Sequence, residues 1–160
     1  MDSLFELYLK RAQNELNLAL IIMKVSEDKE LQINIFKLEG DTYFNGVIGH
    51  AYYCIFYSAK AYLLAKNIKT EAPEEHKKTY EEFEKLVNKG ILKKELLLMY
   101  QDVLIKAESL LKIFKDEKWK RGHFTYHKLP QANKEPSQES LENASKFFKV
   151  VFNLLKKSKT

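Results

Sequence analysis

Apolar positions in the first 25 residues recur every three or four steps: Leu4, Leu7, Leu9, Ala12, Leu16, Ala19, Leu20 and Met23. That period predicts an amphipathic helix over SLFELYLKRAQNELNLALIIMKV, with Lys10, Arg11, Asn14 and Glu15 on its wet side. The pattern weakens in SEDKELQINIFKLEGD. This segment either prolongs the first helix after a break or forms a short separate one, with Gly40 as the expected stop. The next segment, YFNGVIGHAYYCIFYSAKAYLLAKN, is apolar nearly all round. A helix of that kind belongs in the middle of a bundle or at a subunit interface. Asp41 or Thr42 is the expected cap at its start, and Asn67 the expected terminator.

APEEHKKTYEEFEKLVNKG follows, with Pro73 near the first helical position and Glu74 and Glu75 at the positive end of the helix dipole. Tyr80, Phe83, Leu86 and Val87 form its stripe, and Gly90 ends it. KKELLLMYQDVLIKAESLLKIFKDEKW reads as one long helix buried through Leu97, Tyr100, Leu104, Ala107, Leu111 and Phe114. HKLPQANKEPSQES reads as loop. Ser137 is the expected cap of a last helix, QESLENASKFFKVVFNLLKK, buried through Leu141, Ala144, Phe147, Phe148, Val151, Leu154 and Leu155. No strand-like alternation persists and no internal repeat is present. The expected fold class is therefore all-α: an up-and-down bundle of four long helices plus a shorter fifth.

Composition agrees with this. Only 5 Gly and 3 Pro interrupt 160 residues, and the commonest residues lose little rotamer freedom in a helix. The length suits one domain spanning 1–160, with 158–160 frayed. The net charge of +5 permits a nucleic-acid or nucleotide partner without demanding one. A single cysteine, Cys54, excludes an internal disulfide and a CxxC zinc site, so buried packing is its expected role. The first residues have no charged-then-apolar signal layout, and no uncharged run nears the ~18 residues of a membrane span. A cytoplasmic protein is expected.

One stretch stands apart: KWKRGHFTYHK, Lys118 to Lys128. It holds the only Trp and half of the His residues around Gly122. Lys118, Lys120, Arg121 and Lys128, with Lys112 and Lys115 upstream, form a candidate phosphate-facing patch. Trp119, Phe124 and Tyr126 are candidate base-stacking rings, although a Trp beside a helix end more often plugs the edge of a core. His50 and His76 sit at no metal-ligand spacing and read as structural. No Gly-rich phosphate loop is present.

HAYYCIFYSAKAYLLAKNIKTEAPEEHKKTYEEFEKLVNKG resembles the central region of the HEPN domain, a helical module of prokaryotes associated with nucleotides and RNA. A small stand-alone branch carries a pattern A-Y-Y-A-x-F-x-A-A-x-A-L-L-L-x-K-G, followed on the next helix by a His and an apolar residue, like His76 and Phe83. The resemblance covers roughly Asp41 to Leu155. The family's catalytic signature is an Arg, four to six residues, then a His. Here Arg121 is followed by five residues and then His127. Gly122 stands where nucleases often have a polar residue, and Leu129 where they often have a Tyr. Members that have lost the His keep an Arg with an Asp-Tyr ending. Arg121 to Tyr126 has that spacing, with Thr125 at the Asp position.

What the resemblance implies is a homodimer acting on RNA or nucleotides. One form is a metal-independent endoribonuclease, or the toxin-like half of a pair with a small nucleotidyltransferase. The other is a non-catalytic module binding RNA, a nucleotide or a protein. A purely structural helical interaction protein, dimerising through its aromatic helix, is the third expectation. In a nuclease, His127 would move protons near neutral pH and Arg121 would hold phosphate oxygens in its fork. His123 and Tyr126 are weaker candidates for the same work. No metal and no cofactor are expected.

Overall fold

The computed structural model describes residues 3–123 and 133–158, and among these all regular structure is helical. The helices are α1 (Leu4–Glu27), α2 (Phe44–Ala65), α3 (Glu75–Asn88), α4 (Lys94–Leu111), α5 (Glu117–His123) and α6 (Lys134–Lys157), with a π-helical turn at Leu31–Ile35.

α2 is the axis of the bundle. It packs on α1, α3, α4 and α6, while α6 also packs on α1 and α4. Ile48, Ala51, Tyr52, Cys54, Ile55, Ala59 and Leu63 are fully buried. Its small residues make room for close neighbours: a methyl group on Gly46 would lie 3.4 Å from Ile22 Cδ1. The all-round apolar pattern is thus satisfied by a central position within one chain. Of the aromatic residues on this helix, Tyr52, Phe56 and Tyr62 are buried, and Phe44, Tyr53 and Tyr57 are half-buried. Cys54 packs with its Sγ 3.9 Å from the Ala144 carbonyl, and burial pushes its thiol up to about 12.

Local chemistry explains most element ends. At the start of α1, the Ser3 amide donates to Glu6 Oε2 at 2.8 Å, one half of a capping box. α2 ends as the positive φ of Asn67 closes a double turn: Asn67 N–H donates to Leu64 O and Ile68 N–H to Leu63 O. Gly90, at φ +74°, closes α3 in the same way through Val87 O and Leu86 O. At the head of α2 the expected caps do not act. Asp41 Oδ1 accepts from Thr42 N–H, and the Tyr43 amide instead donates to the buried Ser26 Oγ at the end of α1. Between them, Gln32 is fully buried; its Nε2 donates to the carbonyls of Val25 and Asp41 and its Oε1 accepts from Asp41 N–H. One amide side chain therefore ties the π turn to the following loop.

Two expectations are corrected. The single helix expected to run to Trp119 is two, α4 and α5, separated at residues 112–116. The cause is Glu108, whose Oε2 accepts the free amides of Ile113 (2.9 Å) and Phe114 (3.2 Å), while Lys112 takes a left-handed conformation. Described residues therefore hold six α-helices rather than five. The last helix begins at Lys134, earlier than expected, with Pro136 in its first turn where a missing amide hydrogen costs nothing. Ser137 lies inside it, its Oγ donating to Asn133 O.

Candidate functional site

The break after α4 creates a corner, and the corner faces the start of α3. Between them lies a cleft of about 380 Å³ lined by Glu74, Glu75, His76 and Lys77 on one side and Ile113 to Asp116 on the other. A single buried carboxylate organises the corner. Glu108 holds the two loop amides through Oε2 and binds Lys120 Nζ through Oε1 at 3.1 Å. Asp116 then starts α5 by accepting the Trp119 amide at 3.0 Å, and that bond holds its carboxyl below the usual range.

Trp119 is half-buried. Its ring meets Phe114 (4.8 Å between centroids) and Tyr80 (5.9 Å), and its Nε1–H donates to Glu81 at 2.8 Å. It closes the core edge, the role favoured for a Trp at a helix end. Lys77 Nζ spans the mouth of the cleft, 5.5 Å from the Trp119 ring and 3.6 Å from Asp116. His123 stacks on Trp119 at 4.3 Å, with its Nδ1 2.9 Å from the Trp119 carbonyl, and is exposed.

The cations of the corner differ in how they are used. Lys120 is bound by Glu108 and Glu117, and Lys77 by Asp116. Lys118 and Arg121 are exposed and make no ion pair among the described residues. Lys112 and Lys115 are exposed too, and Lys115 lines the cleft. Of the residues read from sequence as a site, the structure gathers Lys118, Lys120, Arg121 and His123 on α5. Tyr126, His127 and Lys128 lie outside the described residues.

The cleft's inner wall went unread in the sequence. His76 stacks on Phe56 at 4.1 Å, and its Nδ1 lies 2.8 Å from the Tyr52 hydroxyl. Burial holds His76 below the ordinary histidine value and raises Tyr52 well above the ordinary tyrosine value. Beside them Glu75 pairs with the buried Lys60, whose Nζ also donates to Thr70 O at 2.9 Å. The sequence signals were a His on a helix's first turn beside two glutamates and the likeness of His76 and Phe83 to the family pattern. His50, which is half-buried, is bound to Glu15 of α1. No group of three or more His, Cys, Asp or Glu placed to hold a metal occurs among the described residues, and no described helix is long and apolar enough to cross a membrane.

Comparison of the chain with protein-family models, with curated proteins and with solved structures finds no match.

Proposed function

We propose that the chain is a HEPN-like module that binds single-stranded RNA or a nucleotide through the corner carried by α5. One observation carries this reading. Lys118 and Arg121 stand exposed, with no ion pair among the described residues, on a helix whose remaining lysine is already neutralised by carboxylates. Uncommitted cations are available to phosphate oxygens, and the Arg fork can take two at once.

In its finer form the proposal includes RNA cleavage. Arg121 would bind the phosphate while the RNA's own 2′-hydroxyl attacks the adjacent phosphorus; His127 would take the hydroxyl proton and return it to the departing 5′-oxygen, leaving a 2′,3′-cyclic phosphate and a 5′-hydroxyl end. His123 is the poorer proton carrier, because one ring nitrogen already lies against the Trp119 carbonyl. Binding is favoured over cleavage, since it needs only groups that α5 itself presents.

The experiment is incubation of a mixed RNA pool with the full chain in EDTA, beside fluorescence anisotropy of a labelled single-stranded RNA. Binding that weakens with Arg121→Ala, without new RNA ends, supports the binding module. Cleavage lost in both Arg121→Ala and His127→Ala supports the nuclease. An RNA and nucleotide affinity indifferent to Arg121 overturns both.

A further inference from the structure

His76 forms part of the cleft wall, and its surroundings fix the hydrogen-bonding role it can play there. Its Nδ1 lies 2.8 Å from the hydroxyl of Tyr52, which is fully buried. Burial disfavours charge on both groups, so the tyrosine keeps its proton and the imidazole stays neutral. The Tyr52 hydroxyl has no other acceptor among the described residues, so it donates to Nδ1. The ring proton then sits on Nε2. Phe56 stacks on the ring at 4.1 Å and fixes its plane. The face of the ring is therefore scaffold, and its Nε2 edge is what the cleft presents. That N–H has no acceptor among the described residues, and the neighbouring Glu75 carboxylate is committed to Lys60.

The cleft suits a neutral, planar ligand with polar edges. Its volume of about 380 Å³ lies within the range of small-ligand sites. Three carboxylates (Glu74, Glu75 and Asp116) and two ammonium groups (Lys77 and Lys115) line it, so the cleft itself does not favour an anion. Pro73 and Ile113 add apolar wall. Asp116 joins this space to α5. Lys77, next to His76, reaches Asp116 at 3.6 Å. Lys118 and Arg121 follow Asp116 by about 3 Å and about 7.5 Å along the helix. A strand whose phosphate lies on α5 therefore has a base within reach of the cleft.

On the RNA reading above, we infer that the cleft takes one unstacked base of the bound strand, and that His76 Nε2–H donates to a ring nitrogen or carbonyl oxygen of that base. Tyr52 is a positioning residue: it holds the donor tautomer without touching the ligand. Phosphate contacts on α5 place the strand, and the cleft contacts its base.

The test uses the full chain and fluorescence anisotropy with two end-labelled strands: a single-stranded RNA, and the same ribose–phosphate backbone without bases. The second keeps the phosphates that α5 captures. Wild type binds the strand with bases about tenfold tighter or more. His76→Phe keeps a ring on Phe56 but loses the donor, and cuts that preference by about three- to tenfold. His76→Gln, whose side-chain amide still donates, recovers part of it. Arg121→Ala weakens both strands together. Nitrogen NMR of His76 in the free protein shows the Nε2–H tautomer, with the Nδ1–H form appearing in Tyr52→Phe. Equal affinity of wild type for the two strands overturns the inference and leaves phosphate capture on α5 standing. That comparison needs no variant, so it holds even where a substituted chain fails to fold. A preference untouched by His76→Phe, or an Nδ1–H tautomer in wild type, also overturns the inference. Affinities indifferent to Arg121→Ala sink instead the reading on which it rests, and a wild type that binds neither strand overturns both.

Discussion

The molecule contains two histidine–aromatic stacks of nearly equal geometry and opposite fate. His76 lies 4.1 Å from Phe56 and is pinned by the Tyr52 hydroxyl; His123 lies 4.3 Å from Trp119 and is pinned by that residue's own carbonyl. The first pair sits where α3 meets the central helix. The second rides on a seven-residue helix at the rim. Ring contacts alone do not separate scaffold from recognition surface. What separates them is the company: His76 packs against Tyr52, Tyr53 and Phe56, whereas His123 shares its helix with two cations that make no ion pair among the described residues.

The largest effect expected from breaking this comparison is in the inner stack. Phe56→Ala removes a buried ring and leaves a cavity beside His76, costing about 3–5 kcal/mol in urea unfolding. Trp119→Ala, at a half-buried site, costs about 1–2 kcal/mol. Equal costs would show that the outer stack is as much scaffold as the inner. Next comes Glu108→Ala, which strands the amides of Ile113 and Phe114 and leaves Lys120 without its buried carboxylate. A loss of about 2–3 kcal/mol is expected, with a red shift of Trp119 emission as the corner loosens. Unchanged emission would mean that the corner stands without Glu108.

A smaller effect is the pH dependence that His76 brings to the inner stack. Burial lowers the folded-state value of His76, so the unfolded chain binds the extra proton first. The stability that neutral His76 contributes is whole above the unfolded value of about 6.5 and is lost as pH falls below it, with a slope of at most about 1.4 kcal/mol per pH unit. Unfolding titrations between pH 7.5 and 5.5 should lose in His76→Gln the part of their slope that His76 contributes, and an unchanged slope would contradict this. The smallest expected effect is at Tyr100, whose buried hydroxyl has no hydrogen-bond partner among the described residues. Tyr100→Phe should leave stability within about 0.5 kcal/mol of wild type or raise it. A clear loss would reveal a partner for that hydroxyl.

Much of the scaffold was legible because its signals are local. The unbroken apolar run of α2 demanded a central position, and Asn67 and Gly90 marked helix ends through backbone conformations that those residues tolerate. The corner was not legible in that way. KIFKDEKW continues the helical pattern, and nothing in its composition announces a stop. The stop comes from Glu108, which would pass for a solvated surface residue until its carboxylate is seen folded back on amides five and six positions later. The cleft was hidden for a related reason. Tyr52 and His76 meet across 24 residues of chain, a contact that no periodicity encodes. On the site side, the basic character of Lys118 to Arg121 was plain in the sequence. The division between Lys120, bound by Glu108, and Arg121, exposed on the same helix, was not, because it depends on which face of α5 meets Glu108.

Trp119 is the chain's only tryptophan and lies within the proposed binding corner, which makes the most direct measurement a fluorescence titration with short single-stranded RNA at low and moderate salt. Saturable quenching in the wild type, weakened about tenfold or more by Arg121→Ala and falling steeply with salt, is the result predicted by phosphate capture on α5. Wild-type emission that ignores RNA at every salt concentration, or quenching that Arg121→Ala leaves intact, would contradict it.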